Sequence, residues 1–537
     1  MKHLKILFFL FLPFLSFGQD KFDYSVSEPY KVIDSPEKFY LSSSKNGIVL
    51  GFKRVGKDIW LQRFDANAMK EVERKKVSDM PSGFVLEHIR WFGERAYCYF
   101  SLWDRANQTE QLYYREIAPE SCSFKGKSKR LIAVQGKLTG APIMQIAFWS
   151  VGTIDKFSFL TSHDESKLLI QCRRKPVKRN DAINNDIIGM YVFDQDHNQL
   201  SGNEIKMPYT EQAMDNLDYH LDSEGIPYLL ARVRSDGSHK NYKGIGAGKT
   251  INHHIELLKF DIPAGNIKVT KLDAKGYLLK DVWLYDGPQN NMICAGFYTQ
   301  IKPGMSWFDA DGICLFEMQN TGSINKKNFY EIPLEVINQY QKAGAQRRNE
   351  NKDKKGKAQF EDLDMKRFIV QDDNSIVLIG EQFYIKEHSS NGRVYYTYHY
   401  EDMLITKIDP TGTLAWMKKL PKRQASGNPR GGVSFKYLAI KGKHYVVFLD
   451  NVKNMTLGLN KRPAVHIDGK GGFLTAYGVD DTTGKVGKIS IFDSRNVQGI
   501  KIKQFSTYRM LQCSQDEFIL EAYKGQKEDV MIKIKIQ

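Results

Sequence analysis

Short apolar runs of strand length, separated by polar turns, recur along the whole chain. The clearest copy lies between Met365 and Leu420, where MKRFIVQDDNSIVLIGEQFY and DMLITKIDPTGTLAWMKKL contain four such runs. Turn residues separate them at Asp372-Asp373-Asn374 and at Asp409-Pro410-Thr411-Gly412, where Pro presets φ and Gly accepts a positive φ. The pattern predicts a four-stranded antiparallel sheet.

Two parts of this unit recur at other places in the chain. Turn-plus-apolar segments like NSIVLIGEQF, the predicted second strands, begin at Asn46, Glu94, Ser166, Glu224, Asn290, Asn374, Lys443 and Asp516. Hairpin turns between predicted third and fourth strands lie near Phe64, Phe193, Phe260, Met318, Ile408 and Asp480, with a less regular copy after Glu116. Eight repeats are therefore predicted.

The eighth repeat is one strand short, and KFDYSVSEPYKVI near the beginning of the chain is a strand with no repeat of its own. Pairing the two would close a ring and leave no open sheet edge. We therefore predict an all-β fold, a single eight-bladed β-propeller closed by an N-terminal strand. Seven blades are the alternative, if the irregular second repeat is miscounted.

Two turns add a resemblance to a known class of proteins. The D-x-x-G-x-x-x-W of Asp409 to Trp416 and the D-x-T-G-K of Asp481 to Lys485 resemble outer-strand turns of exported bacterial β-propellers, including quinoprotein-like repeats. The sequence has no WD dipeptide repeat, no kelch double-glycine pattern and no S-x-D-x-G-x-x-W box of the sialidase type. The resemblance implies a fold, and this fold hosts both enzymes and scaffolds.

The first 18 residues have the pattern of a secretory signal peptide. Lys2 and Lys5 precede an apolar run that ends in small residues before Gln19. We expect cleavage near Gly18/Gln19, a propeller domain over 19–537 with an insertion at 333–364 between the fifth and sixth repeats, and a periplasmic or secreted protein. No apolar run is long enough to span a membrane.

The formal net charge of +16 and the pI of about 9.2 favour an acidic partner. A solvated basic surface without any partner is the alternative. Nucleic acid is not expected as a partner of an exported chain. The six cysteines lie in or beside strand runs and show no metal-type spacing, so buried free thiols are expected; Cys98 with Cys122, or Cys294 with Cys314, are the alternative disulfides.

Long connections are predicted on one face of the propeller, because they join second to third strands or one repeat to the next. They are rich in basic residues and make this face the predicted binding surface. The binding residues predicted there are Arg173, Arg174, Lys178, Arg179, Lys243, Lys249, Arg347, Arg348, Tyr396, Tyr398, Lys461 and Arg462.

Two of these connections allow further interpretation. The insertion after Pro333 predicts a short helix followed by a charged, mobile segment from Arg347. The tyrosines at positions 395, 396, 398 and 400 have two interpretations: an aromatic platform for a ligand, or one face of an extended hairpin packed on the neighbouring blade.

The first strands line the central channel of a propeller, and they carry acids, bases and histidines. The predicted channel-lining residues are His88, Arg90, Lys156, Asp218, His220, Asp281, Arg367, Lys436 and Arg509. Asp218 and His220 lie two apart on one face of a strand and are the catalytic candidates. The alternative is that these groups pair with one another around a water-filled channel.

Familiar catalytic motifs are missing from the sequence. KGIGAGKT at 243–250 fails as a phosphate loop, because Lys243 stands where the first Gly is required and a strand pattern follows. Asp309 and Asp311 lack the other ligands of a calcium loop. We expect no metal and no cofactor.

The sequence is compatible with two functions. The first is a non-catalytic, protein-binding propeller in an assembly of the bacterial cell envelope or outer membrane, bound through its basic face. The second is an enzyme or binding protein for an acidic glycan or a phosphorylated ligand at the mouth of the channel.

Overall fold

The computed structural model describes residues 21–35, 37–43, 47–146, 149–176, 181–243, 250–287, 291–302, 306, 308–319, 323–390, 392–429, 431–458, 461–504 and 506–537. Strands dominate this part of the chain, and each predicted second strand is present. Within it, eight sheets of four or more strands follow one another along the chain, numbered here sheets 1 to 8, and their main strands pair antiparallel. The predicted signal peptide lies outside the described residues.

Sheets 1 to 4 each contain four consecutive strands. Sheet 1 has Glu37–Ser43, Ile48–Val55, Asp58–Asp65 and Lys70–Val77. Sheet 2 has Val85–Phe92, Arg95–Asp104, Thr109–Ala118 and Ser123–Gln135. Sheet 3 has Phe157–Thr161, Lys167–Arg174, Asn185–Asp194 and Gln199–Thr210, with Leu138–Thr139 added. Sheet 4 has Met214–Leu221, Pro227–Arg234, His253–Asp261 and Asn266–Leu272.

Sheets 5 to 7 repeat this order. Sheet 5 has Tyr277–Gly287, Asn291–Gln300, Gly312–Met318 and Ile324–Glu331. Sheet 6 has Leu363–Val370, Ile376–Ser390, Arg393–Ile408 and Leu414–Leu420, extended by Gln424–Ser426 and His466–Ile467. Sheet 7 has Lys436–Ile440, Lys443–Asp450, Phe473–Asp480 and Val486–Asp493.

Sheet 8 joins the two ends of the chain. Met510–Gln512, Glu517–Gly525 and Glu528–Ile536 are completed by Phe22–Val26, which pairs antiparallel with the last strand from Phe22 opposite Ile536 to Val26 opposite Ile532. Tyr30–Lys31 pairs with the same strand. The predicted closure by an N-terminal strand is present in the structure.

The hydrophobic core is divided among the gaps between sheets. Eight clusters of buried side chains in the described chain each join two successive sheets, and one of them joins sheet 8 to sheet 1. In that closing cluster Tyr30, Ile519 and Met531 pack against Val49 and Phe64. A ring of sheets packed face to face, with first strands innermost, is the arrangement of a β-propeller.

The hairpins between third and fourth strands have the predicted turn chemistry. Asp65, Asp194 and Asp409 each accept backbone N–H groups from residues two to four positions later. Gly412 has a φ of 86°, which a residue with a Cβ rarely adopts. The turn near Met318 is only partly inside the described residues.

Two helices, several 3₁₀ turns and two short hairpins lie outside the eight sheets. The helices are Leu334–Asn338 and Ala343–Asp353, and short 3₁₀ turns occupy Asp181–Ile183, Glu211–Ala213, Val452–Asn454 and Thr507–Arg509. Two hairpins pair Ala141–Ile146 with Trp149–Asp155 and Tyr242–Lys243 with Thr250–Ile251. The first of these hairpins was not predicted. No helix among the described residues is both long and apolar enough to cross a bilayer.

Candidate functional site

The insertion between sheets 5 and 6 forms two helices, although a mobile charged segment was predicted from Arg347. Val336 and Ile337 of the first helix are buried in the core between these sheets. The second helix, AGAQRRNENKD, buries no residue fully. Ala, Gln, Arg, Glu and Lys favour helix, so this segment is helical although it lacks the apolar stripe that sequence patterns reveal.

Polar contacts hold the second helix in place. The side-chain amide of Gln346 donates to the carbonyls of Asn338 and Gln341, each at 3.2 Å. The Asn349 amide donates to Asn338 Oδ1 at 2.8 Å, and Lys352 Nζ lies 2.9 Å from Glu361 Oε1. The first helix therefore contributes to the core, whereas the second lies on the surface and is attached by polar contacts.

A cleft of about 240 Å³ lies between this helix and sheet 6. Its lining is mainly polar and comes from the insertion, sheet 6 and the long loop of sheet 7: Ile337, Gln341, Ala345, Arg348, Asn349, Lys352, Gln359, Phe360, Glu361, Gln382, Lys419 and Arg462. The structure thus brings together Arg348 and Arg462, which the sequence placed in separate loops.

The cations around this cleft differ in their partners. Lys419 is buried and lies 3.1 Å from Asp402 Oδ2, and it also donates to the Ile337 carbonyl. Arg462 is exposed and lies 3.9 Å from Glu401 Oε2. Among the described residues, Arg347, Arg348 and Lys461 form no ion pair, and all three are exposed. We call Arg347, Arg348, Lys461 and Arg462 the basic patch.

Other predicted binding cations have carboxylate partners. Arg173 Nη2 lies 2.7 Å from Asp186, Arg174 Nε lies 3.2 Å from Glu204, and Lys243 Nζ lies 3.3 Å from Asp236. Their charge is therefore largely compensated by carboxylates of the same repeat. Lys178, Arg179 and Lys249 lie outside the described residues.

The tyrosine stripe belongs to a hairpin and not to a loop. The strand from Arg393 pairs with the strand that ends at Ser390, so the interval 385–400 is mostly strand. Tyr398 and Tyr400 are buried with Val433, while Tyr396 is half-buried beside them. Burial leaves Tyr398 without a surface for a ligand, which favours the packing interpretation.

The channel carboxylates hold neighbouring sheets together. Glu87 Oε2 accepts from Lys156 N at 2.9 Å and from Phe157 N at 3.3 Å. Asp218 Oδ2 accepts from Leu284 N at 2.8 Å, and Asp281 Oδ2 accepts from Met365 N at 3.2 Å. Each acid thus bonds to the backbone of the next sheet's first strand, a structural role.

The two catalytic candidates do not form a pair. The Asp218 carboxylate faces the Leu284 backbone, and burial raises its pKa to about 6. The His220 ring packs against Tyr285 at 5.4 Å, and its buried Nε2 has no hydrogen-bond partner. Burial, and then the nearby His163, lowers the pKa of His220 to about 4. A neutral imidazole without a hydrogen bond to Asp218 is poorly arranged as an activated base.

The other predicted channel residues also have identifiable neighbours. His88 stacks on Phe159 at 5.1 Å, Arg90 donates to Thr161 Oγ1 at 3.2 Å, and Lys156 Nζ lies 2.7 Å from Glu110. No ion pair within the described chain involves Arg367, Lys436 or Arg509.

The described residues show neither a cluster of metal-ligating side chains nor a disulfide. No set of three potential metal-ligating side chains occurs among the residues the structure describes. All six cysteines are buried free thiols, including the two pairs considered as disulfides. Asp309 and Asp311 are used in local hydrogen bonds, with Asp362 N and with Gln300 N and Gln359 respectively.

Sequence reasoning missed several residues of the cleft, chiefly Gln341, Asn349, Lys352, Gln359 and Lys419. Lys352 lay in the recognised charged segment. Lys419 follows the strand alternation, but nothing in the sequence shows that its amino group lies buried under the first helix of the insertion. Lys422, in the connection that follows sheet 6, is fully buried and lies 2.7 Å from Glu381 Oε1.

Comparison with known proteins gives fold-level likeness alone. No protein-family model and no curated protein matches the chain. A europium-containing methanol dehydrogenase aligns over 95% of this chain and 93% of its own at 7% identity and a TM-score of 0.38. The β-propeller domain of the Trilobed protease from Pyrococcus furiosus covers 74% of this chain and 97% of its own at 11% identity and a TM-score of 0.29.

A third similar structure is the α-L-arabinanase of Penicillium chrysogenum, with 12% identity, a TM-score of 0.30, and coverage of 73% of this chain and 100% of its own. Propeller and quinoprotein folds are thus among the similar structures. At these scores the likenesses say nothing about what this chain binds.

Proposed function

We propose that this protein is an exported, eight-bladed β-propeller without catalytic activity, which serves as a protein-binding subunit of a bacterial envelope or outer-membrane assembly. Export is supported by the leader pattern of the first 18 residues. The blade number is supported by eight core clusters that link each sheet to the next around the ring. Residues 1–18 belong to the leader, and the mature chain works in the periplasm or outside the cell.

The basic patch is the observation that carries the proposal. Arg347 and Arg348 come from the insertion helix and Lys461 and Arg462 from the loop of sheet 7, yet Arg348 and Arg462 line one cleft. Folded surfaces commonly neutralise such cations, as Arg173, Arg174 and Lys243 show here. In the basic patch only Arg462 has a carboxylate within ion-pair distance among the described residues, Glu401 at 3.9 Å. Exposed cations that are not neutralised attract an acidic surface and speed its association.

The cleft beside the basic patch also offers a concave surface for a partner's side chains. Gln341, Asn349, Gln359 and Gln382 place amide groups around a space large enough for one or two side chains. Arginine forks can bind a carboxylate through two parallel hydrogen bonds. We therefore assign to this surface a protein partner that presents Asp or Glu side chains.

Site-specific photo-crosslinking in native envelopes tests the proposal. A photoreactive amino acid at Asn351 or Lys461 is expected to capture the same acidic protein. At Thr411 or Thr482, exposed turn residues between third and fourth strands on the opposite face, it should not. The crosslink should weaken at high salt, because exposed charges are screened beyond about 8 Å at physiological ionic strength and more strongly above it.

A charge-removal variant provides the matched control. R347Q/R348Q/R462Q should lose the crosslink from position 351 while keeping the melting temperature of the wild type. Equal crosslinking from both faces, or no protein captured from either, would overturn the proposal.

A further inference from the structure

The second and third strands of sheet 6 are longer than those of the other sheets. Ile376–Ser390 and Arg393–Ile408 have 15 and 16 residues, whereas the second and third strands of sheet 7 have eight residues each. The two long strands pair in one continuous register over the added length. We call this extension, residues 384–390 and 393–397, the ribbon.

The first strand of sheet 6 ends before the ribbon begins. Asp362 O accepts from Phe383 N at 2.9 Å, but Phe360 turns away and pairs with Ala310. Among the described strands, none pairs with residues 384–390 on this side. We call this side of the ribbon the open edge.

The open edge presents backbone hydrogen-bonding groups at regular intervals. In antiparallel pairing, every second residue directs its backbone groups to the same neighbour. Because Phe383 bonds to Asp362 on this side, Ile385, Glu387 and Ser389 direct their N–H and C=O groups to the open edge. Ile385 is 48% exposed, and the other two residues are also exposed. No proline and no register shift interrupts this edge, so an extended chain can pair with it.

The open edge leads into the cleft beside the insertion helix. Gln382, just before the ribbon, lines that cleft, and its side-chain amide donates to the Glu361 carbonyl at 2.9 Å. Glu361 also pairs with Lys352 at 2.9 Å, and Arg348 lines the same cleft. A chain added along the open edge therefore meets the cations of the cleft at the end nearest the propeller.

The charge on the open edge favours an acidic chain. Lys386 is exposed and forms no ion pair among the described residues, and its Nζ lies 5.3 Å from the centroid of the Tyr384 ring. Strand alternation places Lys386 on the same face as Gln382, which lines the cleft, and Glu387 on the opposite face. A lysine on an edge discourages pairing with an arbitrary strand, while it attracts a strand that carries carboxylates.

We infer that the partner binds through an extended acidic segment, which is added as a strand along the open edge and places a carboxylate in the cleft. This inference rests on the proposed function and specifies the conformation of the partner's binding segment. Hydrogen bonds to the backbone of Ile385, Glu387 and Ser389 supply affinity, and the cations of the cleft select the partner. The opposite edge of the ribbon, at Val394 and Tyr396, is not required.

Photo-crosslinking from the ribbon in native envelopes provides the first test. A photoreactive amino acid at Ser390, an exposed residue, should capture the same acidic protein as one at Asn351. Glu387→Pro removes an N–H directed to the open edge and no hydrogen bond within the ribbon, so capture from position 390 should fall at least about fivefold. Loss of the Glu387 carboxylate by itself favours an acidic partner, so a fall in capture reports the backbone.

Val394→Pro is the matched control. Val394 lies opposite Ser389 in the ribbon, and its N–H is directed to the other edge. This variant should give the same crosslink from position 390 as the wild type does. Melting temperatures of the two proline variants check that both fold.

Hydrogen exchange gives a second measurement that needs no substitution in the ribbon. In the adduct crosslinked from position 351, the amides of Ile385, Glu387 and Ser389 should exchange more slowly than in the free protein, whereas the Val394 amide should not.

The outcomes separate this inference from the proposed function. Capture from position 351 without capture from position 390, equal capture by the wild type and Glu387→Pro, or unchanged exchange at the three amides would overturn the strand addition and leave the proposed function intact. Failure to capture any protein from position 351 would overturn both.

Discussion

The closure between sheets 8 and 1 and the insertion between sheets 5 and 6 both concentrate charge, and they use it in opposite ways. At the closure, Glu521 is fully buried and bonds to Lys53, Tyr30 and Tyr40, with Lys38 at 3.8 Å. At the insertion, Arg347 and Arg348 stand exposed on a helix with no buried residue.

The difference separates charges that serve the fold from charges available to a partner. A buried charge must be matched within the protein, because leaving one member alone is far more costly than losing an exposed pair. An exposed, unmatched cation contributes little to stability. Mutations should therefore affect stability strongly at the closure and hardly at the patch.

The largest effect is expected from Glu521→Gln. The change leaves Lys53, whose side chain has no solvent exposure, without its ion-pair partner beside Lys38. We expect the free energy of unfolding to fall by about 3–5 kcal/mol. Denaturant unfolding of the purified mature protein measures it.

Glu517→Gln on the same strand is the matched control. Glu517 lies 3.2 Å from Lys535, whose side chain is half exposed. Loss of this exposed ion pair should lower the free energy of unfolding by less than about 1 kcal/mol. Similar losses in the two variants would mean that the buried pair does not hold the ring closed.

A smaller effect on the free energy of unfolding, which depends on pH, is expected at the interface between sheets 2 and 3. Burial raises the pKa of Glu87 from 4.5 to about 7, against the opposing hydrogen bonds from Ser101, Lys156 N and Phe157 N. The native state therefore binds more protons than the unfolded state between these values. This contribution to stability is full below pH 4.5 and is lost as pH rises through 7.

Glu87→Gln removes that dependence. Relative to wild type, the variant should gain on the order of 3 kcal/mol of unfolding free energy between pH 4.5 and pH 8. Parallel denaturant titrations at several pH values measure the gain. Glu116→Gln, which removes a surface ion pair with Lys125, is the matched control and should not reproduce this gain. Parallel curves for wild type and Glu87→Gln would show that Glu87 titrates normally.

The sequence predicted the parts of the fold that depend on local pattern. Second strands such as NSIVLIGEQF and the Asp-based turns at Asp65 and Asp409 depend on neighbours within a few residues. Strand pairing at the closure was also predictable, since one repeat lacked a strand. The hairpin that pairs Ala141–Ile146 with Trp149–Asp155 was not predicted, because it lies outside the four-strand repeat on which the prediction was based.

The candidate site was less predictable. Helix Ala343–Asp353 has no apolar stripe, so its polar pattern looked like a mobile segment. Lys53 and Glu521 pair across 468 positions, and no local signal connects them. The sequence identified Asp218 and His220 by spacing, but their partners come from the neighbouring strand at Leu284 and Tyr285. Contacts between sheets thus decide which charges remain free.

The smallest effect on stability is expected from R347Q/R348Q. Neither arginine forms an ion pair within the described chain, and Gln favours helix nearly as well as Arg. The free energy of unfolding should change by less than about 0.5 kcal/mol, whereas partner capture should be lost. Lys419→Gln, at a buried lysine 3.1 Å from Asp402 on the same cleft, should instead be strongly destabilising. Comparable losses from the two variants would place the arginines among the charges that serve the fold.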